Sequence, residues 1–160
     1  MTCSGIRTFG VCDIENLMGT APWRATASRI RSTMDAFCHS AGLGAGDLVV
    51  IAVNPALAVE VHRAAPAARL RCRRGRDGAD RALLEELEDP FWVASRFDRV
   101  VVGSGDGIFT RAVAALNHTN VSTTVVARPG HLARTLRLVA QHVVPLGLGP
   151  LSGLPRTLAA

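Results

Sequence analysis

Nearly unbroken apolar runs recur along this chain, and each is followed by a stretch with helical spacing. Residues 9–14, 47–53, 97–102 and 121–127 read as buried strands, and residues 68–72 as a further possible strand. Between them the spacing predicts helices. The longest covers residues 23–41, where Ala27, Ile30, Met34 and Phe37 recur every three or four positions. Gly42 and Gly44 end it, and Pro66 ends a shorter helix over 54–64. Further helices are predicted over 79–87, 108–117 and 131–144, while residues 15–19 read as a loop. Strands that stay apolar along their whole length are buried on both faces. The pattern therefore predicts a three-layer α/β fold, a parallel sheet with helices on both faces in the Rossmann-like manner. Ligands of such sheets sit outside the carboxyl ends of the strands, so the segments leaving those ends are where chemistry is expected.

A chain of 160 residues is long enough for one well-buried core. One domain is expected over residues 1–146. Residues 147–160 are rich in Gly, Pro and Leu, lack periodicity, and are expected to form a loose tail. No apolar run approaches the ~20 residues of a membrane helix. The N-terminus lacks a signal-peptide core, and the four cysteines, Cys3, Cys12, Cys38 and Cys72, form no CxxC pair. A reducing cytoplasm is the expected location. The formal charge is +5, and all 18 basic residues are Arg. With no Lys in the chain, P-loop phosphate binding and Schiff-base chemistry are excluded for it alone. A pI near 10.2 suits a polyanionic partner. The five histidines show no metal spacing and no partner nucleophile.

Asp13 leaves the first strand, with Asn16 three residues on; Asp106 leaves the strand over 97–102, and Asp80 opens the helix over 79–87. Three carboxylates converging on one crevice repel one another and need a cation to coexist. Oxygen donors of this kind suit Mg²⁺ or Mn²⁺, which can activate water and neutralise a phosphodiester. Gly103, Gly105 and Gly107 allow a tight turn beside Asp106. Plainer readings exist for each residue. Asp13 and Asn16 could form a helix cap or Asx turn. Asp80 could simply complement a helix dipole. Ser104 could contact substrate or only close a turn. Glu85, Glu86, Glu88 and Asp89 read as a solvated helix face. Arg69, Arg71, Arg73, Arg74 and Arg76 form the densest basic run, a phosphate contact or a solvated loop. Trp23 could stack on a base or staple the helix that follows it.

Val11-Cys12-Asp13-Ile14-Glu15-Asn16 resembles the Asp-x-x-Asn opening of NYN domains, which belong to the PIN-like nucleases. The segment from Gly75 to Leu83 is similar to that family's middle segment, a basic loop followed by an Asp and a helix. Val100-Val101-Val102-Gly103-Ser104-Gly105-Asp106-Gly107-Ile108-Phe109 is similar to its Ser-Gly-Asp-x-Asp-Phe. The three motifs fall in order across roughly residues 8–145. The resemblance implies a PIN-like fold and a metal-dependent ribonuclease. By it, Asp13, Asp80 and Asp106 would ligate Mg²⁺ or Mn²⁺. Asn16 would orient a ligand or the scissile phosphate. From their own positions, apart from the resemblance, Ser104, Arg73, Arg74 and Arg76 are the candidate contacts to RNA. A homodimer is expected by analogy with PIN-like domains. One departure stands out: Ile108 occupies the position of the second acid in the last motif. Glu15 or Asp77 could replace that acid. Alternatively, the chain is a binding module that keeps the fold without catalysis. A phosphatase of the haloacid-dehalogenase type is a third possibility. It would need a second Asp where Glu15 stands, and commonly a Lys.

Overall fold

The computed structural model describes residues 5–75 and 77–147. The expected tail beyond Gly147, Cys3 and the candidate Arg76 lie outside the described residues. The sheet has six strands, all parallel, in the order β3-β2-β1-β4-β5-β6. The strands are β1 (Thr8–Asp13), β2 (Leu48–Val53), β3 (Arg69–Cys72), β4 (Arg99–Gly103), β5 (Ser122–Ala127) and β6 (His142–Pro145). The helices are α1 (Ile14–Met18), α2 (Ala27–Ala41), α3 (Ala58–Ala64), α4 (Gly78–Glu86), α5 (Pro90–Arg96), α6 (Thr110–Leu116) and α7 (Arg134–Val139). Short 3₁₀ turns precede α2, α3 and α6.

Strand order reverses between β1 and β4, the place where a crevice at the carboxyl ends is expected in such sheets. The period-two alternation of each strand divides the core into two layers. Cys12, Ile51, Val101 and Val126 face α1, α2 and α3, where Leu17, Ile30, Met34, Phe37 and Val61 close over them. Phe9, Val11, Val50, Val100, Val102 and Val125 face the other way, onto Leu83, Val93, Val113 and Leu136 from α4 to α7. Phe9 also stacks on Phe97 with ring centroids 4.9 Å apart.

The structure differs from expectation in four places. Residues 14–18 form α1 rather than a loop, because Asp13 caps them by accepting from the Asn16 N–H at 3.1 Å. The long helix starts only at Ala27, capped by Thr26, and Trp23 is 84% exposed instead of stapling its start. Residues 90–96 form α5, with Asp89 accepting from the Trp92 N–H and Pro90 in its first turn. The closing helix stops at Val139, and His142–Pro145 becomes the sixth strand, paired with β5. No helix among the described residues is long and apolar enough to cross a membrane.

Candidate active site

Asp13 is the last residue of β1, and its side chain follows Phe9 and Val11 onto the α4 face by simple alternation. On α4, Asp80 stands three and seven residues before Leu83 and Leu87, which pack into that same layer. Strand period and helix period thus bring the two carboxyls together, within hydrogen-bonding reach of each other. Asp13 is only 6% exposed. Burial pushes its carboxyl up to about 7. The Asn16 N–H pulls it down, and the nearby charges of Asp80 and Glu15 raise it further. Asp80 is also raised, first by burial and then by the charges of Asp106, Asp77 and Glu15, against a lowering by its hydrogen bond with Asp13. Oδ1 of Asp80 is buried with no hydrogen-bond partner. A buried, unsatisfied carboxylate oxygen is costly and invites a cation or a proton.

The pair opens into a cavity of about 160 Å³ lined by Asp13, Glu15, Asn54, Arg73, Gly75, Ala79 and Asp80. Glu15 is fixed at its rim, where its Oε1 accepts from the Asn54 N–H at 2.8 Å. Asn54 follows β2 and itself caps the next turn through Ala56 N–H. Glu15 was already a candidate from its place in the first motif. Asn54 had no such signal, since its tie to Glu15 joins the ends of two neighbouring strands 39 positions apart in sequence.

Asp106 follows β4, which lies beside β1 with Gly103 opposite Cys12. It is exposed, and its Oδ1 accepts from the Ile108 N–H at 2.9 Å, capping the 3₁₀ turn Gly107–Phe109. Its charge reaches Asp80 without sharing a hydrogen bond with it. Ile108 is 39% exposed, so an apolar side chain stands at the surface where the motif would carry an acid. Among the described residues, no three His, Cys, Asp or Glu side chains are gathered tightly enough to enclose an ion as they stand. The acidic groups here are the Asp13–Asp80 pair, with Glu15 at the rim of the same cavity and Asp106 on the neighbouring loop.

Asn16 acts as a clamp between the two motifs. Its Oδ1 accepts from the Gly105 N–H at 3.0 Å, and its backbone carbonyl accepts from Arg128 Nε at 3.0 Å. The Arg128 guanidinium lies so close over Gly19 that a Cβ there would meet it at 2.3 Å. Gly19, with φ +66°, is thus required twice, as the left-handed end of α1 and as room for Arg128. Gly105 fits as closely. Its carbonyl accepts from Ala133 N–H at 2.8 Å, and a Cβ on it would lie 1.8 Å from the His131 carbonyl oxygen. Ser104 is fully buried, and its Oγ accepts from the Asp106 N–H at 3.2 Å, which places it inside the turn rather than on the crevice wall.

The arginines of β3 are largely engaged with α4. Arg69 pairs with Glu86 at 2.6 Å, Arg71 with Glu85 at 2.9 Å and Glu86 at 3.4 Å, and Arg73 with Glu85. Arg69, Arg71 and Arg73 share one face by alternation, so Glu85 and Glu86 zip the edge strand to its helix and are not a free solvated face. Hydrogen bonding from Arg73 holds the Glu85 carboxyl below its usual range. Arg73 still lines the acidic cavity.

A model of the NYN domain matches residues 59–147. The chain belongs to the NYN domain family. The matched segment carries Asp80 and Asp106. Asp13 and Asn16 precede it, and β1 brings them to the same crevice. The low amplitude and bright protein LabA of Synechococcus elongatus is 35% identical over 63 residues, 39% of this NYN chain. That stretch is 34% of LabA, so the chain matches about a third of its relative's length. A crystal structure of a protein of unknown function from Vibrio parahaemolyticus has the same fold. Its TM-score is 0.61 at 19% identity, covering 92% of this chain and 97% of that one.

Proposed function

We propose that this NYN domain hydrolyses RNA phosphodiester bonds in the crevice between Asp13 and Asp80, with Mg²⁺ or Mn²⁺ as cofactor. One observation carries the reading. The buried carboxyl of Asp13 and the half-buried carboxyl of Asp80, one oxygen of which is unsatisfied, line one cavity together with Glu15 and Arg73. The residues fit such an ion. Mg²⁺ keeps several waters and needs only one or two protein carboxylates, completing its shell with substrate phosphate. Asp13 and Asp80 would hold it, with Asp106 adding charge from the neighbouring loop. When bound, the ion supplies an activated water and neutralises charge on the phosphate.

The chain's own residues do the rest. Arg73 offers its guanidinium to a phosphate oxygen at the cavity wall. Glu15, fixed by the Asn54 N–H, keeps a fourth carboxylate at the rim in place of the acid that Ile108 lacks. Asn16 and Arg128 lock the Asp13 turn to the Gly105 loop, so the acids keep their spacing while substrate binds. Water attacks phosphorus and the 3′ oxygen leaves, giving a 5′-phosphate and a 3′-hydroxyl.

The test is cleavage of end-labelled single-stranded and structured RNAs with Mg²⁺ or Mn²⁺. Cleavage that disappears in Asp13→Asn and Asp80→Asn while both fold supports the proposal. Intact RNA with the folded wild type refutes it. Tight RNA binding without cleavage, unchanged by Asp106→Asn, would instead make the domain a binding module.

A further inference from the structure

A second cavity adjoins the acidic one. It measures about 180 Å³ and is lined by Arg73, Arg74, Gly75, Asp77, Gly78 and Arg81. Arg73 and Gly75 line both cavities, so the two lie side by side at the start of α4. Two glycines shape its floor. Gly75 has φ +103°, and a Cβ on Gly78 would meet the Arg73 carbonyl oxygen at 3.0 Å. The basic residues here differ from their neighbours on β3. Arg69, Arg71 and Arg73 each have a carboxylate partner on α4, whereas Arg74 and Arg81 make no ion pair among the described residues. Asp77 is the one carboxylate in a lining that holds three arginines. Arg73 pairs with Glu85 and still lines both cavities.

The geometry points to a phosphate subsite formed by Arg73, Arg74 and Arg81, which takes the backbone phosphate next to the scissile one. This inference rests on the proposed hydrolysis of RNA and adds a requirement to it. The substrate is a strand gripped over at least two consecutive phosphates, one at the carboxylate pair and one in the arginine cleft. Guanidinium forks suit phosphate oxygens, and contacts of this kind fix the register of a strand without reading its sequence.

The experiment is fluorescence anisotropy of the full chain with a short labelled single-stranded RNA. It is run with Ca²⁺ over a salt series, and the RNA is checked for integrity on a gel. The variants are Arg74→Gln, Arg81→Gln and the double substitution, with Arg31→Gln as a control for net charge. Arg31 is an exposed residue of α2, in the layer on the opposite side of the sheet. All three arginines are exposed, and unchanged urea midpoints will show that the variants fold.

The subsite predicts a several-fold loss of affinity in each single cleft variant and a larger loss in the double. Each lost contact should also flatten the slope of log K against log salt by about 0.7, the value for single strands. Arg31→Gln should leave the slope unchanged. Cleft variants that superimpose on wild type, or on Arg31→Gln, overturn the subsite and leave the hydrolysis proposal standing. If the wild type binds no RNA, both fall.

Discussion

Gly105→Ala should damage this protein more than its single added methyl group suggests. A Cβ at this position lies 1.8 Å from the His131 carbonyl oxygen and 2.8 Å from its carbon, both backbone atoms that no rotamer change can move. The two segments must separate by a little over 1 Å to bring the closer contact to 3.0 Å. That separation strains the Ala133 N–H to Gly105 carbonyl bond, now 2.8 Å, and the Gly105 N–H to Asn16 bond, now 3.0 Å. Overpacking costs about 1–3 kcal/mol, and each weakened hydrogen bond about 1 kcal/mol. The expected loss is about 2–5 kcal/mol, a large share of the ~5–15 kcal/mol that stabilises an ordinary domain. Urea unfolding measures it as a lower midpoint with an unchanged slope. Gly46→Ala is the control. Gly46 has open space around its would-be Cβ and no positive φ, so the unfolding free energy should stay within about 0.5 kcal/mol of wild type. A loss under about 0.5 kcal/mol in Gly105→Ala would refute the close packing of the Asp106 loop against His131.

Other outcomes follow from the same contacts. Asp13 has a folded-state pKa raised from 3.8 to about 7, so the folded chain keeps a proton that the unfolded chain has lost. Without divalent ions, its contribution to stability is full below pH 3.8 and falls as pH rises to about 7. Denaturant midpoints against pH should show this fall, and Asp13→Asn should shrink it to what the raised carboxyl of Asp80 contributes. Asn16→Ala leaves the Gly105 N–H without its partner and should cost about 1–3 kcal/mol in urea unfolding. Glu85→Gln frees Arg71 and Arg73 from their shared carboxylate. It should tighten binding of single-stranded RNA in anisotropy titrations, and weaker binding would argue that the pairing serves to pre-orient Arg73.

The parts of the fold legible in the sequence are those with strong local signals. β1, β2, β4 and β5 are long apolar runs, and buried parallel strands need no other mark. β6 is only four residues at an edge, and Leu132, Leu136, Val139 and Val143 keep a helical spacing straight through its start. Pairing with β5, a non-local contact, decides the matter. α5 was hidden behind Glu88-Asp89-Pro90, which reads as the end of the preceding helix although Asp89 and Pro90 begin a new one.

The carboxylate pair was legible as residue types at strand and helix ends. That Asp13 faces α4, and that Asp80 lies on the helix's inward side, follows from the two periods taken together. The clamp through Asn16 and Arg128 was not legible, because it joins residues 112 positions apart. The same holds for the pairing of Glu85 and Glu86 with the edge-strand arginines, which changes a presumed solvated face into part of the α4–β3 contact.

A crystal of this protein soaked in Mn²⁺ and measured for anomalous scattering tests the central claim most directly. An anomalous peak is expected between Asp13 and Asp80, beside the Asp80 Oδ1 that now has no partner. A well-ordered crevice at saturating Mn²⁺ with no peak between the two carboxyls would contradict it.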